Sequence, residues 1–210
     1  MIKINKIRSY AVPFLQANVD TDLIVRAERC VYATTEELGR YAFETQRYLR
    51  MSEDGSDAVE NPDFIFNQAP FRGAQIIIGG PNFGCGSSRE TAVRALDRMG
   101  IRCIIAPSFG EIFAGNCFQN GLLTIALPSE TVQRIGGRLL ADRATAQVEV
   151  DLAAQQILLA DGEIISFDYD PLRKRALLEG LDEIGMTLQL ADRITAFQDS
   201  DRMARPWIYI

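Results

Sequence analysis

The chain has 210 residues, of which 47% are apolar and 24% charged, as expected for a globular protein with one sizeable core. Its net charge of -6 argues against nucleic acid and anionic membrane surfaces as partners. No apolar run approaches the roughly 20 residues that a bilayer span needs, and residues 1–10 lack the apolar centre of a signal peptide. Scattered cysteines without an export signal predict a cytoplasmic location.

Histidine is absent from this sequence, and its absence excludes several kinds of site. Catalytic Ser–His and Cys–His pairs, imidazole acid–base catalysis and histidine-containing metal sites all require it. No C-x-x-C spacing occurs among the four cysteines, which are Cys30, Cys85, Cys103 and Cys117. A metal or iron–sulfur centre held by this chain alone is therefore not expected. We predict no metal site and no cofactor on this chain, so the hardest chemistry of any reaction has to come from elsewhere.

The first third of the chain contains a predicted strand, a polar turn, a helix and a loop. Residues 2–12 alternate roughly as in a strand, and residues 18–22 are polar and turn-like. Residues 34–50 have apolar side chains at helical spacing, with Thr35 as a candidate N-cap. Residues 52–63 are acidic and contain Gly and Pro, which makes them the best candidate for a mobile loop.

The middle of the chain alternates short apolar strands with helices. In chain order these are a strand at 75–79, a helix at 89–99, a strand at 102–106, a helix at 111–120, a strand at 122–127 and a helix at 129–142. Strands that alternate with helices in close order indicate parallel pairing in an α/β layer.

The character of the sequence changes near residue 145. Three segments that could be strands follow, at 147–152, 155–159 and 163–167, the last two joined by a hairpin turn at Asp161-Gly162. Pro171 opens a predicted helix, and Asp182 caps a last one. We therefore predict an α/β fold with a small appended sheet and C-terminal helices. Residues 1–210 are taken as one domain, with a C-terminal extension from about residue 145 as the alternative.

The most informative segment is the loop at residues 79–90, which reads G-G-P-N-F-G-C-G-S-S-R-E. Its glycines, Gly86 among them, let the backbone approach a ligand closely. The start of a helix favours negative charge, and Arg89 can bind a carboxylate through two parallel hydrogen bonds. Ser87 and Ser88 can hydrogen-bond the same group or move a proton. This loop therefore predicts an anionic ligand.

Plainer interpretations of this loop stay open. It could be only a turn between strand and helix, in which Ser88 caps the helix. Cys85 could be a nucleophile activated by the helix start, but a small residue packed in a tight turn is the better interpretation. Glu90 is expected to be structural and to pair with Arg94.

The turn at residues 18–22 contains two carboxylates in the order Asp20-Thr21-Asp22. This pattern could suggest a divalent-cation cluster, but the glycine and glutamate of an EF-hand loop are missing. A solvated turn is the simplest alternative. We predict that Asp22 is a hydrogen-bonding carboxylate at the edge of a site.

Taken together, these segments resemble the small subunit of 3-isopropylmalate dehydratase, in the aconitase superfamily. The run G-C-G-S-S-R-E is highly specific, and the resemblance covers nearly the whole chain. The motifs that carry it are N-V-D-T-D at 18–22, E-N-P-D-F at 60–64, F-R-G-A at 71–74, N-F-G-C-G-S-S-R-E at 82–90, A-P-S-F at 106–109, I-F at 112–113, N-C-F-x-N-G-L-L at 116–123 and R-P-W at 205–207.

The resemblance implies a swivelling β/β/α domain, like the aconitase C-terminal domain, that docks on a separate large subunit. That partner would carry a four-iron four-sulfur cluster on its own cysteines, in a heterodimer or heterotetramer. The implied reaction is the reversible dehydration and rehydration of a small dicarboxylate, here 2- and 3-isopropylmalate in leucine biosynthesis. In this family pattern Ser87 takes and returns the carbon-bound proton. Ser88 and Arg89, with Gly86, hold substrate carboxylate, and Asp22 matches a site aspartate.

Two departures from the family pattern concern the substrate. Family members usually continue R-E-H-A-P, whereas Thr91 follows Glu90 here. An ungapped match also places T-T-E-E at 34–37 on the K-R-T-G of a substrate-selecting loop, so Thr35 replaces the selecting arginine.

Three arginines could take over the selecting role, and they are Arg26, Arg29 and Arg40. Arg26 is our candidate for substrate binding. Other acids stay open as substrates, namely 2-methylmalate/citraconate, a dimethylmalate or a homoaconitate-type acid. A non-catalytic subunit that binds a dicarboxylate or regulates a partner is a further alternative.

Overall fold

The computed structural model describes residues 1–52 and 54–209. A seven-stranded sheet forms its centre. The strands of this sheet and of a smaller one, in chain order, are β1 (Lys6–Phe14), β2 (Tyr48–Arg50), β3 (Val59–Glu60), β4 (Ile76–Gly79), β5 (Cys103–Ala106), β6 (Leu123–Ala126), β7 (Gln147–Asp151), β8 (Gln156–Leu159) and β9 (Ile164–Ser166). The large sheet has the order β6-β5-β4-β1-β7-β8-β9, and β2 pairs with β3 in a small second sheet.

Strand β1 joins a parallel half of the large sheet to an antiparallel half. It pairs in parallel with β4 and antiparallel with β7. Strands β4, β5 and β6 are parallel to one another, and β4 and β5 are fully buried, which explains their continuous apolar sequences. Strand β7 alternates buried and less buried residues, as one face of an antiparallel sheet does. The predicted α/β class is confirmed, and β7, β8 and β9 extend the same sheet through β1.

Helices cover the sheet and form the C-terminal end of the chain. They are α1 (Thr21–Ile24), α2 (Ala27–Tyr32), α3 (Leu38–Tyr41), α4 (Glu44–Arg47), α5 (Glu90–Met99), α6 (Glu111–Gln119), α7 (Ser129–Ala141), α8 (Pro171–Glu179), α9 (Glu183–Leu188) and α10 (Ala191–Ala204). Over residues 1–52 and 54–209, no helix is both long enough and apolar enough to cross a membrane.

The single helix predicted over residues 34–50 is wrong. That stretch contains the short helices α3 and α4, followed by β2. The break falls at Phe43, whose φ is 56° and whose ring lies 5.3 Å from that of Phe66 and 5.3 Å from that of Phe14. Burial of this ring outweighs helix propensity, because tertiary packing overrides a weak local preference. Thr35 therefore caps no helix, since the residue before α3 is Glu37.

The predicted mobile loop at 52–63 is partly hydrogen-bonded. Val59 and Glu60 form β3, and Arg72 donates to both carboxylate oxygens of Glu60, at 2.9 and 2.6 Å. Residue 53 lies outside the described residues. The predicted mobility itself stays a prediction.

The ends of the chain differ in detail from the sequence-based prediction. Strand β1 begins later than expected, because the N–H of Ile4 donates to the carbonyl oxygen of Leu177 in α8 at 2.9 Å. The last predicted helix is divided into α9 and α10. Asp182 caps α9 as expected, with its carboxylate accepting from the N–H of Gly185 at 2.6 Å.

Gly84 fixes the conformation of the glycine-rich loop and offers a test of it. Its φ is +74°, and a Cβ there would lie 2.1 Å from Cγ of Phe113. We expect Gly84→Ala to lower the free energy of unfolding by about 2–5 kcal/mol, from a left-handed backbone combined with overpacking. Urea unfolding measures this loss.

The matched control is Gly73→Ala. Gly73 has a similar φ of +77° but nothing within 4 Å of its Cβ position. It should lose only the backbone contribution, about 1–2 kcal/mol. Equal losses in the two variants would show that Phe113 does not press on the loop.

Candidate functional site

The glycine-rich loop is hydrogen-bonded to the turn at residues 18–22. The N–H of Gly84 donates to the carbonyl oxygen of Val19 at 2.7 Å, and the N–H of Thr21 donates to that of Cys85 at 2.9 Å. Asp20 and Cys85 form a parallel β-bridge. The two segments that the sequence marks as chemically interesting are therefore in direct contact.

A third segment supports the loop from the other side. The N–H of Phe83 donates to the carbonyl oxygen of Ser108 at 3.0 Å, and the N–H of Gly110 donates to that of Phe83 at 2.9 Å. All three segments follow parallel strands, β1, β4 and β5, so they lie beyond the same edge of the sheet. Ligands of open α/β sheets bind in this position, beyond the carboxyl ends of the strands.

Arg89 and Asp22 form a bidentate ion pair at this edge. The two guanidinium nitrogens Nη1 and Nη2 of Arg89 donate to Oδ1 and Oδ2 of Asp22, at 2.5 and 3.0 Å. The Arg89 side chain is 25% exposed and that of Asp22 60%, so the pair faces solvent. The hydrogen bond from Arg89 lowers the pKa of Asp22, and the same bond raises the pKa of Arg89. The free chain thus already holds a carboxylate on Arg89.

The two serines of the loop are exposed beside this pair. Ser87 and Ser88 lie between Gly86 and Arg89, and over residues 1–52 and 54–209 neither hydroxyl has a hydrogen-bond partner. Helix α5 begins at Glu90, its N-cap residue is Arg89, and no side chain caps it. The alternative in which Ser88 serves as the helix cap is therefore wrong. Both hydroxyls are free to meet a ligand.

Gly86 takes a backbone conformation that its position requires. Its φ is +94°, and a Cβ there would lie 3.4 Å from both Asp20 Cβ and Thr21 Oγ1. The left-handed backbone favours glycine here, and a Cβ would meet its neighbours at ordinary van der Waals distances. The loop therefore rests directly on the turn that carries Asp22.

Arg26 lies apart from the serines, in a second ion-pair cluster. Its Nε is 3.3 Å from Oε2 of Glu28 and 3.6 Å from Oε1 of Glu44. Together with Glu28, Arg29 and Tyr32 it lines a cavity of about 350 Å³, whose lining includes none of residues 87–89. The structure thus brings Asp22, Gly86 and Arg89 together with the serines, and it places Arg26 in a neighbouring cavity of its own.

Sequence reasoning missed two buried polar residues near the site. Glu44 is 7% exposed and accepts a hydrogen bond from Nε of Arg29 at 2.8 Å, so it anchors the arginines around the cavity. Its position in the helix predicted over residues 34–50 gave no signal of this role. Thr21 is 1% exposed, and its Oγ1 has no partner in the part of the chain that the structure describes. The signal available for Thr21 was its place between two aspartates.

The remaining candidates have structural contacts. Glu90 pairs with Arg94 at 3.0 Å, as predicted, and also accepts from Nδ2 of Asn120 at 3.1 Å. Cys117 is buried, and this burial raises the pKa of its thiol. Within the described ranges, no three His, Cys, Asp or Glu side chains are grouped to hold a metal ion.

The Asp22–Arg89 pair predicts a pH dependence. Because Arg89 lowers the pKa of Asp22, the pair stabilises the fold above the unfolded-state pKa of about 4, and this stabilisation is lost as the pH falls through the folded-state pKa. In Arg89→Met the pKa of Asp22 should rise toward its ordinary value. Carboxyl-carbon NMR titration measures it.

Glu60 is the internal control in the same spectra, because Arg72 rather than Arg89 lowers its pKa. Its titration should not change in Arg89→Met. If the pKa of Asp22 is also unchanged, the ion pair does not form in solution.

Family models and similar proteins relate this chain to the same family. The aconitase C-terminal domain family matches residues 1–130, and the family of the C-terminal domain of 3-isopropylmalate dehydratase small subunits matches residues 183–209. Two relatives named 3-isopropylmalate dehydratase small subunit come from Roseobacter denitrificans and Paramagnetospirillum magneticum. Each is 45% identical to this chain in an alignment of 211 positions that covers 99% of this chain and 100% of the relative. A relative of that name from Neisseria meningitidis serogroup C is 44% identical over 207 residues, 97% of each chain.

Comparison with solved structures also supports the fold. The crystal structure of 3-isopropylmalate dehydratase (leuD) from Methanocaldococcus jannaschii superimposes with a TM-score of 0.62. It covers 92% of this chain and 99% of its own, at 24% sequence identity. This likeness supports the arrangement of the sheet and helices described above.

Proposed function

Because this chain belongs to the family of 3-isopropylmalate dehydratase small subunits, in the aconitase superfamily, we propose that it is the small subunit of a hydro-lyase. The enzyme isomerises 2- and 3-isopropylmalate by reversible dehydration and rehydration, in cytoplasmic leucine biosynthesis. One observation carries the assignment of the site: the exposed serines of the glycine-rich loop lie beside an arginine that already holds a carboxylate. Residues 1–210 act as a single swivelling domain.

Arg89 and Ser88 bind a carboxylate of the substrate. The bidentate ion pair between Arg89 and Asp22 supports this role. Its two parallel hydrogen bonds hold the guanidinium at the surface in the geometry that binds a carboxylate. A substrate carboxylate takes the place of Asp22 on one of the two N–H groups, and Asp22 keeps the other and so helps to orient the guanidinium. Gly86 keeps the backbone of this loop close to the ligand.

Ser87 moves the proton. Its oxygen takes a proton from one substrate carbon when the hydroxyl leaves the neighbouring carbon. When water adds back to the alkene intermediate, the serine returns the proton to the carbon that lost the hydroxyl, so the serine is regenerated in each cycle. A serine alkoxide is unfavourable near neutral pH unless charge nearby stabilises it. The free N–H groups at the start of α5 and the guanidinium of Arg89 provide that charge.

The site is open to solvent on one side in the single chain. We assign the residues that cover this side to a large subunit, in a heterodimer or heterotetramer. Ser87 and Ser88 are exposed in the single chain. The donors here are hydroxyls and a guanidinium, which suit a carboxylate and not an iron–sulfur cluster. A four-iron four-sulfur cluster on the partner would supply the Lewis acid for the leaving hydroxyl.

The names of the relatives and one local feature support isopropylmalate as the substrate. Relatives that match over nearly the full chain carry the isopropylmalate name, which favours this acid over the 2-methylmalate, dimethylmalate and homoaconitate types. Thr35 stands where the family's selecting arginine would stand. Arg26, held by Glu28 and Glu44 at the neighbouring cavity, takes over the contact with the variable part of the substrate.

A substrate panel on the reconstituted complex tests this proposal. The chain is co-expressed with a cluster-bearing large subunit of the family, and hydration and dehydration are followed by the absorbance of the unsaturated acid. We expect the highest kcat/KM for the isopropylmalates. A complex with an intact cluster that binds dicarboxylates without turning over any of these acids would instead be a binding or regulatory assembly.

A further inference from the structure

A buried hydroxyl that the proposed mechanism does not use lies under the glycine-rich loop. Thr21 begins α1, and its backbone N–H donates to the carbonyl oxygen of Cys85 at 2.9 Å. The side chain is buried, and no residue among 1–52 and 54–209 gives Oγ1 a hydrogen-bond partner. Buried hydroxyls are nearly always paired, because an unpaired one forfeits its hydration without compensation.

The position of this hydroxyl points to the loop that carries Ser87. Thr21 Oγ1 is 3.4 Å from the Cβ position of Gly86, which is the residue immediately before Ser87. The absence of a side chain on Gly86 leaves the polar backbone of the loop accessible to the hydroxyl. A small rotation of the peptide between Gly86 and Ser87 would therefore bring an acceptor to Thr21.

Substrate binding can produce that rotation. Asp22 follows Thr21 directly in α1, and Arg89 lies just beyond Ser88. When a substrate carboxylate competes for the N–H groups of Arg89, one hydrogen bond between Arg89 and Asp22 is released, and the peptide between Gly86 and Ser87 would be freer to rotate. The same event that fills the site would thus satisfy Thr21.

We propose that Thr21 is a positioning residue for Ser87, whose hydroxyl donates a hydrogen bond to the backbone between Gly86 and Ser87 when substrate is bound. This hydrogen bond fixes the serine oxygen in line with the carbon-bound proton. The inference rests on the proposed function, because it assigns Thr21 a part in that reaction. A purely structural threonine would instead contribute only packing, and its hydroxyl would be dispensable.

The test compares Thr21→Val with Thr21→Ser in the reconstituted complex. Valine keeps the shape and removes the hydroxyl, whereas serine keeps the hydroxyl. We expect Thr21→Val to lower kcat about tenfold, the effect of one lost hydrogen bond, with KM within about twofold of the parent. Thr21→Ser should retain kcat within about twofold. Thermal unfolding should show Thr21→Val to be at least as stable as the parent, because the unpaired hydroxyl is gone.

A kinetic isotope effect gives a readout that packing would not change. With substrate deuterated at the carbon that loses its proton, the isotope effect on kcat should increase in Thr21→Val, because proton transfer becomes slower. If Thr21→Val does not fold, Thr21→Ala provides the same comparison with less bulk.

The inference would be overturned if Thr21→Val had the kcat and the isotope effect of the parent. It would also be overturned if Thr21→Ser lowered kcat as much as Thr21→Val does. Ser87→Ala in the same assay separates this failure from a failure of the proposed function. If Ser87→Ala is inactive while Thr21→Val is fully active, only the role of Thr21 is wrong. If Ser87→Ala is fully active, the mechanism and the role of Thr21 fail together.

Discussion

Ser87→Ala should reduce kcat of the reconstituted complex by roughly 100- to 10,000-fold, the usual contribution of a positioned acid–base group. KM should change little, because Arg89 and Ser88 remain to hold the carboxylate. The free energy of unfolding should also be unchanged, because Ser87 is exposed and its hydroxyl has no partner in the described parts of the chain. Steady-state assays with both isopropylmalates, together with urea unfolding, measure all three quantities.

Ser129→Ala is the matched control for this substitution. Ser129 is an exposed serine that begins α7, so it resembles Ser87 in exposure and in its place near a helix start. No side chain caps this helix, so replacing Ser129 with alanine should change the free energy of unfolding little. A Ser129→Ala complex with parental kcat, beside an inactive Ser87→Ala complex, would place the chemistry on the glycine-rich loop.

Full activity of Ser87→Ala in a complex with an intact cluster would remove the serine from the mechanism. The loop would then only bind the carboxylate, and the proton would move on a group of the partner. A parallel loss in Ser129→Ala would point instead to a general effect on assembly.

The parts of the fold that sequence patterns predict are those governed by local rules. The apolar run of β4 and the helix α5, which Gly100 ends in the left-handed conformation, are each defined within a few residues. The hairpin at Asp161-Gly162 is another local signal. These elements lie close to their predicted positions, because their hydrogen bonds and apolar faces repeat at fixed spacings.

The parts that sequence patterns did not predict depend on distant partners. The helix break at Phe43 exists because its ring packs on Phe14 and Phe66, which lie far away in the sequence. Glu44 is buried because Arg26 and Arg29 surround its carboxylate. No periodicity within residues 34–50 records either contact. Only the folded chain shows them.

The candidate site was predictable from the sequence in part: its residue types were, and the contacts between them were not. The residue types of the glycine-rich loop indicate an anionic ligand, and the turn at residues 18–22 indicates a carboxylate at a site edge. The bidentate pair of Asp22 with Arg89, and the hydroxyl of Thr21 under Gly86, arise from hydrogen bonds between the two segments. Residue types thus identified the chemistry, whereas the pairing of the residues required the fold.

Replacement of Arg89 separates geometry from charge in carboxylate binding. Arg89→Lys keeps the positive charge but cannot form two parallel hydrogen bonds to one carboxylate. The loss of a charged hydrogen bond costs about 1.5–3 kcal/mol, so KM should rise roughly 10- to 150-fold. The value of kcat should fall much less, because the ammonium group still stabilises the negative charge on Ser87. Arg89→Met, which removes the charge as well, should raise KM and also lower kcat.

Arg94→Lys, in the helix α5 that follows Arg89, is the control. Arg94 is exposed and pairs with Glu90 at 3.0 Å, a contact that lysine can form equally well. Its KM should equal that of the parent, whereas Arg89→Lys should require far more substrate for half-maximal rate. If Arg89→Lys also has the parental KM, positive charge alone binds the substrate, and the fork that Asp22 occupies in the free chain is not the one the substrate uses. Because the two variants carry the same chemical change, any difference between them measures what the bidentate geometry at residue 89 contributes.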